Sequence, residues 1–204
     1  MDEALELCRR VLGPGDAANE AAGVARASAP AGERIAMLAA AARACRERAE
    51  DQELSSVGQG DDAGPASLAA AVARELALAT ASLPERQREV LALREMLRLS
   101  YEQIGTVMEI DPAAVAPLLA RARLRLRAER RGGEPDVGPS CQDRDRALRL
   151  LAKRQDSEPL SGEDDEWLLA HLADCPSCDM AHAAMLEASV CYRAWPREQP
   201  AAPA

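Results

Sequence analysis

Hydrophobic residues recur every three or four positions over much of this chain. Leu5, Cys8 and Leu12 follow that spacing near the start, and a second run follows it from Ile35 to Cys45. Because an α-helix turns once every 3.6 residues, this spacing collects apolar side chains on one face. The pattern predicts amphipathic helices.

Segments rich in glycine, proline and polar residues divide the predicted helices. Gly13-Pro14-Gly15 and the stretch 29–32 are expected to end the first two helices. The sequence therefore predicts a helical N-terminal domain (1–50), a linker (51–66), a second helical domain (67–131), a linker (132–140), a third helical domain (141–192) and a disordered tail (193–204).

Within the second domain, residues 84–131 predict a helix-turn-helix. Ser100 and Gln103 have the spacing of a capping box at the start of a short helix. Glu109-Ile110 is expected to form a tight turn, and Asp111-Pro112 combines an N-cap residue with a proline at the first helical position. Two short helices joined in this way are typical of DNA-reading domains.

Four arginines follow at alternate positions in the second of these helices. Arg121, Arg123, Arg125 and Arg127 are suited to phosphate groups, which supply affinity rather than sequence choice. The alternative is an ordinary helical hairpin whose arginines form a solvated face. Periodicity by itself leaves both interpretations open.

Composition supports helices and places the positive charge in one block. Aromatic residues are 2% of the chain and phenylalanine is absent, while alanine and leucine, both good helix formers, are abundant. The net charge is −9, yet residues 84–131 hold ten arginines against seven acidic residues, a balance of +3. Residues 132–204 hold seven basic against fourteen acidic residues, a balance of −7. We predict an all-α protein whose basic surface lies in the middle domain.

The third domain contains a local pattern suited to a metal ion. His171 and Cys175 are four residues apart, and Cys175 and Cys178 are separated by two residues. Three such ligands suit tetrahedral zinc, and a structural site needs a fourth. The fourth-ligand candidates are Cys141, His182 and Cys191. The alternatives are packed cysteines beside a surface histidine, or a redox pair.

The remaining cysteines, Cys8 and Cys45, lie on apolar helix faces and are predicted to be core residues.

The middle domain resembles region 4 of the sigma-70 family, in its short extracytoplasmic-function form. The resemblance rests on Leu83-Pro-Glu-Arg-Gln-Arg-Glu-Val-Leu, on Leu99-Ser-Tyr-Glu-Gln-Ile-Gly, and on Val115 with Arg121-Ala-Arg123. It implies binding to the −35 promoter element and to the flap of RNA polymerase. One departure is that Ala116, Pro117 and Leu118 stand where the family has basic or polar residues. The DNA-binding positions that the resemblance and the arginine pattern indicate are Ser100, Tyr101, Ala114, Arg121, Arg123, Arg125 and Arg127.

The two flanking domains resemble other parts of the same regulatory system. Residues 5–50 look like a degenerate sigma region 2, but they contain no aromatic side chain to stack on flipped bases. From Cys141 to Leu186 the chain resembles the zinc-finger domain of anti-sigma factors. That resemblance favours Cys141 as the fourth ligand, with His182 next, and implies a structural or redox-sensitive zinc.

These observations together predict a sigma factor or sigma-like transcription regulator with a fused zinc domain that regulates it. The expected partners are core RNA polymerase, promoter DNA and another sigma or anti-sigma subunit. The alternative is a sigma-derived adaptor or anti-sigma-like protein that binds a sigma factor or polymerase without reading a promoter. No catalytic arrangement stands out, so an enzyme is not expected. Without a long apolar stretch or a basic start, the chain is expected to be cytoplasmic, with no membrane contact.

Overall fold

The computed structural model describes residues 2–30, 32–53, 68–132 and 141–195. Every regular element in these residues is a helix, which confirms the all-α prediction. None of their helices is long and apolar enough to cross a membrane. The α-helices are α1 (Glu3–Leu12), α2 (Asp16–Ser28), α3 (Arg34–Glu53), α4 (Leu68–Ala81), α5 (Glu85–Leu91), α6 (Tyr101–Met108), α7 (Pro112–Arg130), α8 (Arg144–Gln155), α9 (Gly162–Asp174) and α10 (Pro176–Ala194).

Helix ends follow the sequence signals closely in the N-terminal part. Gly13 adopts φ 88° and Gly15 φ 148°, values that side chains disfavour, so these glycines separate α1 from α2 as predicted. At two other places helices extend past the predicted domain ends, because α3 reaches Glu53 and α10 reaches Ala194. The rest of the predicted linkers and tail, residues 54–66, 133–140 and 196–204, lie outside the described residues.

One hydrophobic core extends through all three predicted domains. Leu38 of α3, Leu119 of α7 and Leu151 of α8 belong to the same buried cluster and have no exposed surface. Burying each leucine contributes roughly 1.5–3 kcal/mol. Helix α6 packs against α3, and α7 packs against both α8 and α10. The helix-turn-helix therefore lies between the N-terminal helices and the C-terminal segment.

Cys8 and Cys45 are both buried in this core, which confirms the prediction for them. Hydrogen bonding to Cys8 and burial raise the pKa of Cys45 well above its usual range. A protonated thiol is a poor nucleophile, so Cys45 serves here in packing.

Glu89 of α5 is a buried carboxylate between the N-terminal helices and the middle of the chain. Its side chain is 1% exposed, and its Oε1 lies 2.7 Å from Nη1 of Arg46 on α3. Burial raises the pKa of Glu89 to about 7, against the opposing charges of Arg46 and Arg86. Because this pKa exceeds the 4.5 of an ordinary glutamate, the folded state binds more protons than the unfolded state at any pH between the two pKa values. On this account, the free energy of unfolding falls as the pH rises toward and through about 7.

We expect Glu89→Gln to remove that loss of stability at high pH. Urea denaturation of wild type and variant at about pH 5.5 and 8.5 should show the variant gaining on the order of 1–3 kcal/mol relative to wild type at the higher pH. Glu109→Gln is the control, since it removes an exposed carboxylate whose pKa is lowered by Arg43. An unchanged pH slope in Glu89→Gln would contradict the prediction.

Candidate functional site

Helices α6 and α7 form the predicted helix-turn-helix, and both N-termini are capped by side chains. The Gln103 backbone N–H donates to Ser100 Oγ at 3.3 Å, and the Ser100 N–H donates to Gln103 Oε1 at 3.0 Å. At the start of α7, the Ala113 N–H donates to Asp111 Oδ1 at 2.8 Å. These bonds satisfy N–H groups that have no partner within their helix. The capping predictions are confirmed.

The turn between the two helices depends on a left-handed residue and a close backbone approach. Glu109 ends α6 with φ 58°. A Cβ on Gly105 would lie 2.9 Å from the carbonyl oxygen of Ile110, closer than real Cβ atoms come. Glycine at 105 therefore lets the turn fold tightly against α6.

The exposed start of α7 offers few polar groups for reading bases. Ala113 and Ala114 are exposed, and Pro117 is half-buried. Pro117 lies inside α7, where it lacks an N–H to donate, yet the helix runs from Pro112 to Arg130. The first basic side chain along this face is Arg121, whose Nε donates to the Pro117 carbonyl at 3.1 Å.

The four alternating arginines divide between two faces of α7. Two residues along an α-helix correspond to a rotation of about 200°. Arg121 and Arg125 are accordingly exposed, whereas Arg123 is fully buried and Arg127 half-buried. The buried face packs against α8 and α10.

Arg123 is held in a buried cluster of charges. Its Nε and Nη2 donate to Oε1 of Glu95 at 2.8 and 2.6 Å. Nη2 also donates to Oδ1 of Asp156 at 2.7 Å. Burial would lower the pKa of Arg123, but the charge of Glu95 and the hydrogen bond to Asp156 raise it above its usual value, so the guanidinium stays charged. We call Arg123, Glu95 and Asp156 the buried ionic cluster.

Glu95 connects this cluster to α10. It lies in a π-helical turn, Ala92–Met96, that continues α5. Ser189 Oγ donates to Glu95 Oε1 at 2.7 Å, and Arg193 Nε donates to Oε2 at 2.6 Å. One carboxylate thus binds side chains from both α7 and α10.

Between α8 and α9, Asp156 and one further carboxylate, Glu158, face the helix-turn-helix, and we call residues 156–158 the acidic loop. Asp156 Oδ2 accepts from the hydroxyl of Tyr101 at 2.8 Å, and Glu158 Oε1 accepts from the Tyr101 N–H at 3.1 Å. Arg94 Nε lies 3.2 Å from Asp156 Oδ1. Burial would raise the pKa of Asp156, but hydrogen bonds from Arg123 and Tyr101 outweigh it and hold that pKa below its usual value. The acidic loop therefore presents negative charge at the N-terminus of α6, where an anion is favoured.

Helix α10 supplies another acidic partner to the end of α7. Glu187 Oε2 lies 2.8 Å from Arg127 Nε and 3.1 Å from Arg131 Nη2. Two arginines at the basic end of the helix are therefore bound by the C-terminal segment.

The structure separates the predicted DNA-binding residues into two groups. Ala114, Arg121 and Arg125 are exposed. Ser100 uses its side chain in the helix cap, and Tyr101 and Arg123 are buried against the acidic loop. The sequence predicts Arg123 as a phosphate contact, whereas in this structure its side chain is fully buried between Glu95 and Asp156. Arg127 is likewise bound, by Glu187.

Sequence reasoning missed the acidic partners of these arginines. Glu95 stands among the apolar residues that precede α6, and a charge at such a position is the signal that could have been noticed. Asp156 and Glu158 lie in a polar stretch and give no comparable signal.

The four predicted metal ligands come together in one cluster. One ligand atom from each of Cys141, His171, Cys175 and Cys178 lies within 4.8 Å of the others. Cys141 comes just before α8, His171 is in the last turn of α9, and Cys175 and Cys178 lie at the start of α10. Cys141 Sγ is 3.5 Å from His171 Nε2. The arrangement could hold a metal ion.

The short connection between α9 and α10 positions the two local cysteines. Cys175 ends α9 and begins α10, with Pro176 at the first helical position. The N–H of Cys178 donates to the Cys175 carbonyl at 3.1 Å, which brings the two sulfurs to one side of the turn. The other fourth-ligand candidates, His182 and Cys191, do not belong to the cluster.

The cysteine thiols of the cluster differ in acidity. Backbone N–H bonding, above all from Cys178, lowers the pKa of Cys175 below its usual value. Burial raises the pKa of Cys178 to about 12. A bound cation would favour both thiolates, because metal ligation takes the deprotonated sulfur.

The comparison with known families concerns the helix-turn-helix. A family model described as "Sigma-70, region 4" matches residues 73–126. The matched range begins in α4, ends in α7 and includes the helix-turn-helix. Domains of this family are transcription-factor domains that interact with promoter DNA and core RNA polymerase, not enzymes. Searches of curated proteins and of solved structures found no significant match. The metal cluster lies outside the matched range.

Proposed function

We propose that this protein is a sigma-like transcription regulator of the extracytoplasmic-function type, which binds promoter DNA and core RNA polymerase through its region 4-like helices. Its C-terminal segment, residues 141–195, acts as a built-in regulator by covering arginines of the helix-turn-helix. The observation that carries this proposal is the set of acidic contacts that this segment makes with α7 and with the start of α6.

Electrostatics supports a regulatory contact of this kind. The acidic loop and Glu187 bind Arg94, Arg123 and Arg127, and cationic side chains of this kind bind DNA phosphates. Acidic side chains and phosphates therefore compete for the same groups. The net charge of the C-terminal residues, opposite to that of residues 84–131, favours the intramolecular contact.

Zinc is the metal we propose for the cluster. Three cysteines and one histidine make a closed, soft donor set that suits tetrahedral zinc. Its contribution would be structural, joining the beginning of α8 to the junction of α9 and α10. No coordination position is left for a reacting water, so the site is not proposed to be catalytic.

Releasing one acidic contact should strengthen DNA binding. Glu187→Gln removes a carboxylate that competes with phosphates for Arg127 and Arg131, so we expect affinity for a promoter-length duplex to rise severalfold. The dependence of affinity on salt should also steepen by about one unit in log–log slope per added phosphate contact. Fluorescence anisotropy of a labelled duplex over a range of salt concentrations measures both quantities.

Glu166→Gln is the matched control for that experiment. It removes the same charge from the C-terminal segment at an exposed position of α9. Equal gains in the two variants would show that net charge, not release of the arginines, is responsible. No gain in either would contradict the proposed covering of a DNA-binding surface.

A second function is favoured by the composition of the exposed face of α7. Ala113, Ala114 and Pro117 give that face no side chain that can hydrogen-bond a base edge. An adaptor that binds polymerase or another sigma factor without reading a promoter would suit such a surface. Initiation assays with purified core polymerase on a promoter library separate the two functions, because only the first produces promoter-directed transcripts.

A further inference from the structure

A series of side chains in contact with one another ends at His171, the histidine of the metal cluster. The rings of Trp167 and His171 are stacked, with centroids 4.8 Å apart and planes inclined by 13°. The guanidinium carbon of Arg146 also lies over the indole, 4.1 Å from the centroid of the Trp167 ring. Arg146 Nη2 is in turn 3.0 Å from Oδ1 of Asp164. We call Asp164, Arg146, Trp167 and His171 the stacked column.

The column follows from the spacing of residues on α9. Asp164, Trp167 and His171 are three and four residues apart, so their side chains share one helix face. Arg146 comes from α8 and closes the column from the other helix. Its cation lies over the indole face, where the ring quadrupole attracts positive charge. The column therefore joins α8 to α9 next to the metal cluster, to which His171 also belongs.

A metal-bound histidine needs a partner that fixes the plane of its ring. Usually the ring nitrogen away from the metal donates to a carboxylate or carbonyl oxygen. His171 Nε2 faces Cys141 Sγ. Within the described part of the chain, no oxygen accepts a hydrogen bond from His171 Nδ1. Among the described residues, Trp167 stacks on this imidazole and so limits its rotation.

We infer that Trp167 is a positioning residue for the metal cluster: it holds the His171 imidazole with Nε2 toward the three cysteine sulfurs, and Arg146 with Asp164 holds the indole in place. This inference rests on the proposed metal site. The plane of the His171 ring is then set before a cation binds. Metal binding therefore costs little rotational entropy of this histidine.

The sequence supplies variants that separate positioning from simple packing. Trp167→Phe keeps a flat ring for stacking, whereas Trp167→Ala removes it. Leu168→Ala is the control for packing of α9, because Leu168 is the buried residue of that helix. All variants are made in the full-length chain carrying Trp195→Phe, so that Trp167 is the single source of indole fluorescence where it is present.

The test is titration with Co²⁺, followed by competition between Zn²⁺ and a chelating dye. The parent chain, which carries Trp195→Phe alone, should give the intense visible absorption of tetrahedral cobalt–thiolate coordination, with quenching of Trp167 fluorescence at the same stoichiometry. Trp167→Ala should weaken Zn²⁺ binding about 10- to 100-fold and alter the Co²⁺ spectrum. Trp167→Phe should remain within a few-fold of the parent chain, and Leu168→Ala should lower thermal stability while leaving the Co²⁺ spectrum unchanged.

Two different failures are distinguishable. If the parent chain gives no tetrahedral Co²⁺ spectrum, the metal site itself is overturned. If the parent chain binds and Trp167→Ala has the same spectrum and Zn²⁺ affinity, or if Leu168→Ala reproduces both changes, the positioning role of Trp167 is overturned while the metal site stands.

Discussion

Arg123→Met is expected to destabilise the folded chain by about 3–5 kcal/mol, because it leaves two buried carboxylates without their shared cation. Glu95 and Asp156 both contact Arg123, and the side chains of Arg123 and Glu95 have no exposed surface. Folding removed both carboxylates from water, and removing the guanidinium does not return them to solvent. Their negative charges therefore lose a compensating cation without regaining hydration. A change of this size is a large part of the 5–15 kcal/mol typical of a folded protein.

Chemical denaturation of Arg123→Met and Arg125→Met measures the effect against a control from the same helix. Arg125 is exposed and lies 3.5 Å from Glu129, so its replacement should cost less than about 1 kcal/mol. Arg123→Lys should be intermediate, since an ammonium keeps the charge but not the planar pair of donors that contacts Glu95 and Asp156. Equal small effects at positions 123 and 125 would show that the buried ionic cluster does not stabilise the fold.

Removing the metal is expected to unfold α9 while α8 and α10 remain packed on α7. Helix α9 buries one residue, Leu168, whereas α8 and α10 contribute several residues each to the buried core. Structural zinc sites contribute on the order of 10 kcal/mol to folding in small domains. Residues 162–174 therefore depend on the metal more than their neighbours do.

Amide hydrogen exchange with and without a strong chelator tests this expectation along the whole chain. Protection in α9 should fall by at least tenfold, whereas protection in α7 should change little. DNA affinity should rise, because the acidic loop that precedes α9 loosens. Cys175→Ser should behave like the chelated protein, and Cys191→Ser, which changes a cysteine outside the cluster, should not. Unchanged protection in α9 would exclude a structural metal in this protein.

Much of the fold could be predicted because its signals are local. The capping box at Ser100 and the glycines at 13 and 15 act within a few residues, and the structure confirms them. The same is true of His171, Cys175 and Cys178, whose spacing on a helix and a turn determines their proximity. Cys141 was harder to predict, because it lies thirty positions before His171 and only the packing of α8 against α9 brings the two side chains together.

Which arginines of α7 are buried and which are exposed could not be predicted in the same way. The alternation from Arg121 to Arg127 determines that the four side chains divide between two faces of α7, because that depends on helix geometry alone. Which face is covered depends on α8 and α10, which come later in the chain and pack against it through non-local contacts. The sequence by itself therefore determined the all-helical class, the break at Gly13-Pro14-Gly15 and the helix-turn-helix. Only the tertiary structure decided that Arg123 is buried between Glu95 and Asp156, because the energy of a charge depends on the groups that replace its water, and those come from distant parts of the chain.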